Sequence, residues 1–167
     1  MIERKRFKVQ PRIKFGARFN FLRQIGFLIL YLLLLVPACS KLPVEHKVVK
    51  AQNGEIRIPV RDVSDGGVHF FTYKAGGKRI NFLVRTDRTG SLRTHFNACY
   101  ACYKNKKGYR VEGTELVCNE CNLRYNIADE TWKHVGMGCS PIPFQSNIKD
   151  NELVISLKDI EKGKRLF

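Results

Sequence analysis

The chain has 167 residues, room for one domain of ordinary size plus a targeting segment, and 44% of them are hydrophobic. Its 30 Lys/Arg exceed its 15 Asp/Glu for a formal net charge of +15, but eight of those basic residues lie in residues 1–38 beside one acid, Glu3. Membrane topology accounts for that basic leader and leaves no reason for a nucleic-acid partner. Without a Ser/His/Asp arrangement, a carboxylate pair or a phosphate loop, hydrolytic chemistry has no support either.

Residues 1–40 read as a signal or anchor segment. Arg4, Lys5, Arg6, Lys8, Arg12, Lys14, Arg18 and Arg23 precede the uncharged run IGFLILYLLLLV at residues 25–36. Twelve helical residues reach about 18 Å, short of a hydrocarbon core of about 30 Å. A basic stretch, a short apolar core and a small-residue exit have the order of a signal peptide. Positive charge on the N-terminal side holds that side in the cytoplasm and sends the rest outward. The exit VPACS, residues 36–40, resembles a bacterial lipoprotein box with Cys39 as the lipidated residue; an uncleaved membrane anchor is the alternative. In both cases the chain is membrane-anchored and faces the periplasm or the cell exterior.

Residues 41–54 lack periodicity and contain Pro43, which reads as a linker. From Glu55 to Ile160 the pattern is β, and residues 161–167 read as a tail. In EIRIPVR, Ile56, Ile58 and Val60 alternate with polar neighbours, the period of a half-buried strand. Pro59 cannot donate to a ladder and puts that strand at an edge. VHFFTYK and RINFLVRT flank Ala75-Gly76-Gly77-Lys78, a hairpin signal. A turn at residues 87–90 leads into SLRTHF. YRVE and ELVC flank Gly113-Thr114 as a third hairpin running straight into Cys118, and NELVISL puts Leu153, Ile155 and Leu157 on one face. Residues 41–167 show no long amphipathic helix, and short strands about ten residues apart predict a small all-β sandwich or barrel. Phe70, Phe82, Val84, Phe96, Val117, Ile127 and Leu153 are the expected core.

Four of the six cysteines form two C-x-x-C pairs, Cys99/Cys102 and Cys118/Cys121, with residues 103–117 between them. Each C-x-x-C turn brings two sulfurs to one metal and leaves backbone N–H groups free to point at sulfur. Two such turns close a four-thiolate set, which suits zinc and iron–sulfur ligation equally. Two disulfides are the plain alternative in an oxidising compartment, and reversible thiol–disulfide chemistry a further one. Cys139, in the Gly- and Pro-rich loop GMGCSPIPF, is a further candidate ligand. His95 reads as a satisfied structural histidine and His134, near Trp132, as a surface one. Tyr100, Tyr103 and Tyr125 bracket the pairs and read as shields against water. Lys104, Lys106 and Lys107 form a basic tip that suits an acidic electron-transfer partner.

YRVEGTELVCNECNLRYNI, then GMGCSPIPF, then DNELVISLKDI resemble the soluble domain of the FtrD-like membrane iron–sulfur proteins, which are associated with bacterial ferrous-iron uptake. The layout is also similar to Rieske domains, with two ligand loops on hairpins and a Pro-containing covering loop. In a Rieske domain each loop supplies one Cys and one His; here Cys102 and Cys121 stand where the histidines are expected. The resemblance therefore implies an all-cysteine site on a small Rieske-like β scaffold with two metal-ligand loops. Two thiolates in place of neutral imidazoles favour the oxidised state, moving the expected potential toward about −400 mV. It also implies a non-catalytic electron carrier that holds an iron–sulfur cluster, 2Fe-2S favoured, through Cys99, Cys102, Cys118 and Cys121. The implied partners are the membrane and a redox or iron-transport membrane protein. A structural zinc-binding interaction module is the alternative, with zinc as the cofactor.

Overall fold

A computed structural model describes residues 44–132 and 138–167 of the protein. In chain order the described strands are β1 (Lys47–Val49), β2 (Glu55–Pro59), β3 (Val68–Ala75), β4 (Lys78–Thr86), β5 (Leu92–Cys99), β6 (Tyr109–Glu112), β7 (Glu115–Cys118), β8 (Arg124–Asn126), β9 (Pro141–Pro143), β10 (Asn147–Lys149) and β11 (Glu152–Ser156). They form a five-stranded sheet in the order β1-β3-β4-β5-β9 and two three-stranded sheets, β10-β11-β2 and β6-β7-β8. The fold is all-β, as the sequence predicts. The short helix α1 (Leu157–Ile160) starts at Ser156, whose Oγ accepts from the Asp159 N–H at 3.1 Å. The basic leader, the apolar run and Cys39 lie outside the described residues, as does His134.

Local chemistry accounts for the hairpins. Gly76 and Gly77 both have positive φ, +56° and +83°, as the tight turn between β3 and β4 demands. Pro59 sits at the end of β2, and β2 is an edge strand, bonded on one side to β11. The stretch expected as a linker contributes β1, which runs parallel to β3 with Val48 opposite Thr72. A three-residue strand is too short to show a period, so only its partner defines it. The expected tail forms a 3-10 turn over Glu161–Leu166 and buries Leu166.

The five-stranded sheet is covered on both faces, which is why β4 does not alternate: Phe82, Leu83, Val84 and Arg85 are all buried. One face, with Phe71, Ile80, Phe82, Val84 and Phe96, packs against Ile56, Ile58, Leu153 and Ile155 of the β10-β11-β2 sheet. Burying a side chain the size of Phe82 contributes about 2–3 kcal/mol. The other face presents Phe70, Leu83 and Cys99 to Tyr109, Leu116, Cys118, Tyr125 and Ile127 of the β6-β7-β8 layer. All seven expected core residues are buried. Arg85 is the largest of several polar side chains in this interior. It is fully buried, its Nη1 donates to the Ile127 carbonyl at 2.6 Å, and its guanidinium lies 4.0 Å from the centre of the Trp132 ring. Burial, set against the nearby Asp87 charge, lowers its pKa to about 10.

Candidate metal centre

Two strands that end on cysteine build the site. β5 ends on Cys99 and β7 on Cys118, and each breaks at once into a turn that returns the second cysteine of its pair. In the second turn the Asn122 N–H donates to the Cys118 carbonyl and the Cys118 N–H to the Leu123 carbonyl, both at 3.0 Å. Asn122 has φ +57°, a conformation that asparagine tolerates better than most residues. The first turn passes into a 3-10 segment, Tyr103–Asn105, where the Asn105 N–H donates to the Cys102 carbonyl at 3.1 Å.

The two loops are tied to each other. The Asn119 N–H donates to the Gly108 carbonyl at 3.0 Å and its side-chain amide to the Lys107 carbonyl at 2.8 Å. Asn105 Nδ2 donates to Glu120 at 2.8 Å, and Lys107 Nζ lies 2.6 Å from the same carboxylate. Tyr109 stands opposite Cys118 in the β6–β7 register. At the base of the first loop, Asn97 Oδ1 accepts from the Tyr109 N–H at 2.7 Å, and its amide lies 3.0 Å from His46 Nε2.

These ties bring the sulfurs of Cys99, Cys102, Cys118 and Cys121 within 4.8 Å of one another. Cys102 and Cys118, one from each pair, have sulfurs 3.6 Å apart. Cys99 and Cys118 are 2% and 1% exposed, Cys102 is half-buried and Cys121 is exposed, so the set opens to solvent on the Cys121 side. None of the five described cysteines is in a disulfide.

The electrostatics of the four thiols fit a cation. For Cys99, burial works to raise the pKa, but the Cys102 thiol and N–H, the nearby Tyr109 hydroxyl and the Ala101 N–H bring it down to about 7. Burial first, and then the Cys99 and Cys118 sulfurs, push Cys102 well above the usual thiol range. Burial also raises Cys118, against the N–H groups of Cys121 and Glu120 that point at its sulfur. One thiolate forms readily, and further ionisation is opposed by its neighbours until a cation neutralises them.

Around this set lie residues that the sequence did and did not signal. Tyr109 is buried beside Cys99, and its hydroxyl has no hydrogen-bond partner among the described residues. Nothing in YRVE marks it, since its role depends on the pairing with Cys118. Tyr125 is buried as expected of a shield, and its hydroxyl donates to the Cys139 carbonyl. Tyr100 is 45% exposed and Tyr103 half-buried, so shielding falls to Tyr109 and Tyr125. The Cys139 loop does cover the site: the Tyr100 N–H donates to the Ser140 carbonyl at 3.0 Å, and Pro141 lies opposite Cys99. Cys139 is buried against the Cys121 and Cys99 thiols, and that burial pushes its own thiol up to about 12. It lies outside the mutually close set of four.

His95 departs from the satisfied histidine the sequence suggests. It is buried with its ring 4.7 Å from that of Trp132, yet its Nδ1 has no partner among the described residues. Burial, with the Arg85 and Arg93 charges, lowers its pKa to about 3. It takes no part in the thiol set.

Among the described residues no helix is long and apolar enough to cross a membrane. No curated protein matches the chain. Residues 63–167 match the family described as "Membrane iron-sulfur containing protein FtrD-like", and with its four clustered thiols the chain belongs to that family.

Proposed function

We propose that the protein is a membrane-tethered, extracytoplasmic electron carrier. It holds an iron–sulfur centre through Cys99, Cys102, Cys118 and Cys121 and passes single electrons to or from a redox or iron-transport membrane protein, as an accessory to ferrous-iron uptake. The observation that carries this reading is the graded burial of the four thiols. Cys99 and Cys118 are sealed in the fold while Cys121 reaches the surface. A centre so placed is insulated from water on its inner side and exchanges electrons at its outer edge. The four thiolates leave no ligand position for a substrate, in keeping with electron transfer alone. Lys104 and Lys106 are exposed beside the edge, and Lys107 is there held by Glu120. They suit an acidic partner surface.

Tethering rests on the leader and on Cys39, lipidated or carried in an uncleaved anchor. The full chain, purified in detergent without oxygen, is expected to undergo a reversible one-electron change in a mediated potentiometric titration. A redox-silent metal, such as one zinc per chain, would instead establish a structural zinc module. Disulfides that form in air and account for all the thiols would establish thiol–disulfide chemistry.

A further inference from the structure

The spacing of the four sulfurs bears on how many metals they hold. We infer that Cys99, Cys102, Cys118 and Cys121 hold one tetrahedral metal ion with no inorganic sulfide, where the family resemblance implies a two-iron cluster. The inference rests on the electron-carrier reading only for the identity of the ion, iron.

A tetrahedral ion with metal–sulfur bonds of about 2.3 Å sets its sulfurs about 3.8 Å apart. Cys102 and Cys118, at 3.6 Å, join the two C-x-x-C motifs, and every separation in the set is at most 4.8 Å. A two-iron cluster divides four thiolates two and two, and the bonds on each iron point away from the other iron. Each bond projects outward by about 1.3 Å, and the bridged irons stand at least one bond length apart, so a sulfur on one iron lies about 5–6 Å from either sulfur on the other. Four of the six separations would have to be that long. None is, whichever way the cysteines are divided.

The surroundings hold the set at the shorter spacing. Widening the set means parting the loops, which breaks the Asn119–Gly108 bond and the contacts of Asn105 and Lys107 with Glu120. Four thiols taking up one ion release up to four protons, and every sulfur in the centre then belongs to the chain.

The test is to measure iron, zinc and acid-labile sulfide per full-length chain purified without oxygen, with EPR of the oxidised and reduced states. One iron per chain, no sulfide and a high-spin ferric signal in the oxidised state is the expected result. Two irons and two sulfides, with a signal only after reduction, overturn it. One zinc and no sulfide upholds the single-ion site and overturns the electron-carrier reading, so the two failures are separable. If the chain is isolated without metal, ferrous iron is added with and without sulfide. Saturation at one ion without sulfide supports the inference, and a requirement for sulfide or no binding at all overturns it. The Cys139→Ala variant is expected to keep one ion per chain. Its loss, in a variant that still unfolds cooperatively, would place Cys139 among the ligands and overturn the four-thiol assignment.

Discussion

Tyr109 shows how one side chain sets the chemistry of its neighbours. Its phenol is buried, and burial together with the facing Cys99 sulfur raises its pKa well above the ordinary value, so it stays protonated, and its hydroxyl, unpartnered among the described residues, is free to donate to a Cys99 thiolate. A hydrogen bond to a thiolate grows stronger as negative charge on the centre increases, so it favours the reduced state. Tyr109→Phe removes the donor while keeping the ring that packs against Tyr125 at 6.4 Å. If the reduced state is favoured by about 1 kcal/mol, the one-electron potential falls by roughly 40 mV on substitution. Potentiometric titration of variant and parent checks this, and equal potentials would remove the hydroxyl from any tuning role. No sequence signal identifies Tyr109. The cysteines are legible because their spacing is itself chemistry, whereas a tyrosine acquires this role from the strand opposite.

At the scale of elements, the ligand loops depend on one backbone position. Gly108 has φ +60°, and a Cβ there would lie 2.6 Å from Asn97 Oδ1. That amide oxygen accepts from the Tyr109 N–H, so β6 cannot start where it does unless residue 108 lacks a side chain. Gly108→Ala is expected to cost about 1–3 kcal/mol through strain and the displaced Asn97. It should also lower metal retention, because the Gly108 carbonyl receives the Asn119 N–H between the two loops. Thermal unfolding and metal content of the variant test both effects. The longer hairpins are readable because their turn residues and alternation are local. The strands β1, β8, β9 and β10 have three residues each, too few for a period to show. β4 hides its alternation because both of its faces are covered.

For the whole molecule, buried titratable groups set the dependence of stability on pH. His95 stays neutral in the fold down to about 3, while in the unfolded chain it takes up a proton near 6.5. Between those values the unfolded state binds more protons, so stability is full above about 6.5 and falls as pH falls, by up to about 1.4 kcal/mol per unit. Asp87 acts lower on the scale. Its burial works to raise its pKa, but Thr89, Arg93 and the Ser91 and Thr89 N–H groups hold it well below the carboxylate range. Its contribution is present above about 3.9 and is lost as acid protonates it. The thiols also take up protons as metal leaves, so the test compares His95→Leu with the parent chain at equal metal loading. Urea unfolding of the variant is expected to show a flatter decline between about pH 6.5 and 3 and an unchanged decline below about 3. Parallel profiles would show that His95 does not titrate on unfolding.

The sequence by itself determined the all-β class, the main hairpins and the four thiols with their pairing into two turns. Each of these rests on residues close together in the chain, where spacing and turn chemistry act directly. Tertiary structure alone decided that both turns converge within 4.8 Å, that Tyr109 faces Cys99 and that Arg85 is sealed beneath Trp132. It also decided the sulfur spacing from which the number of metals is inferred. Those features follow from strand register and layer packing across long stretches of chain, where a shift of one residue turns a side chain to the opposite face.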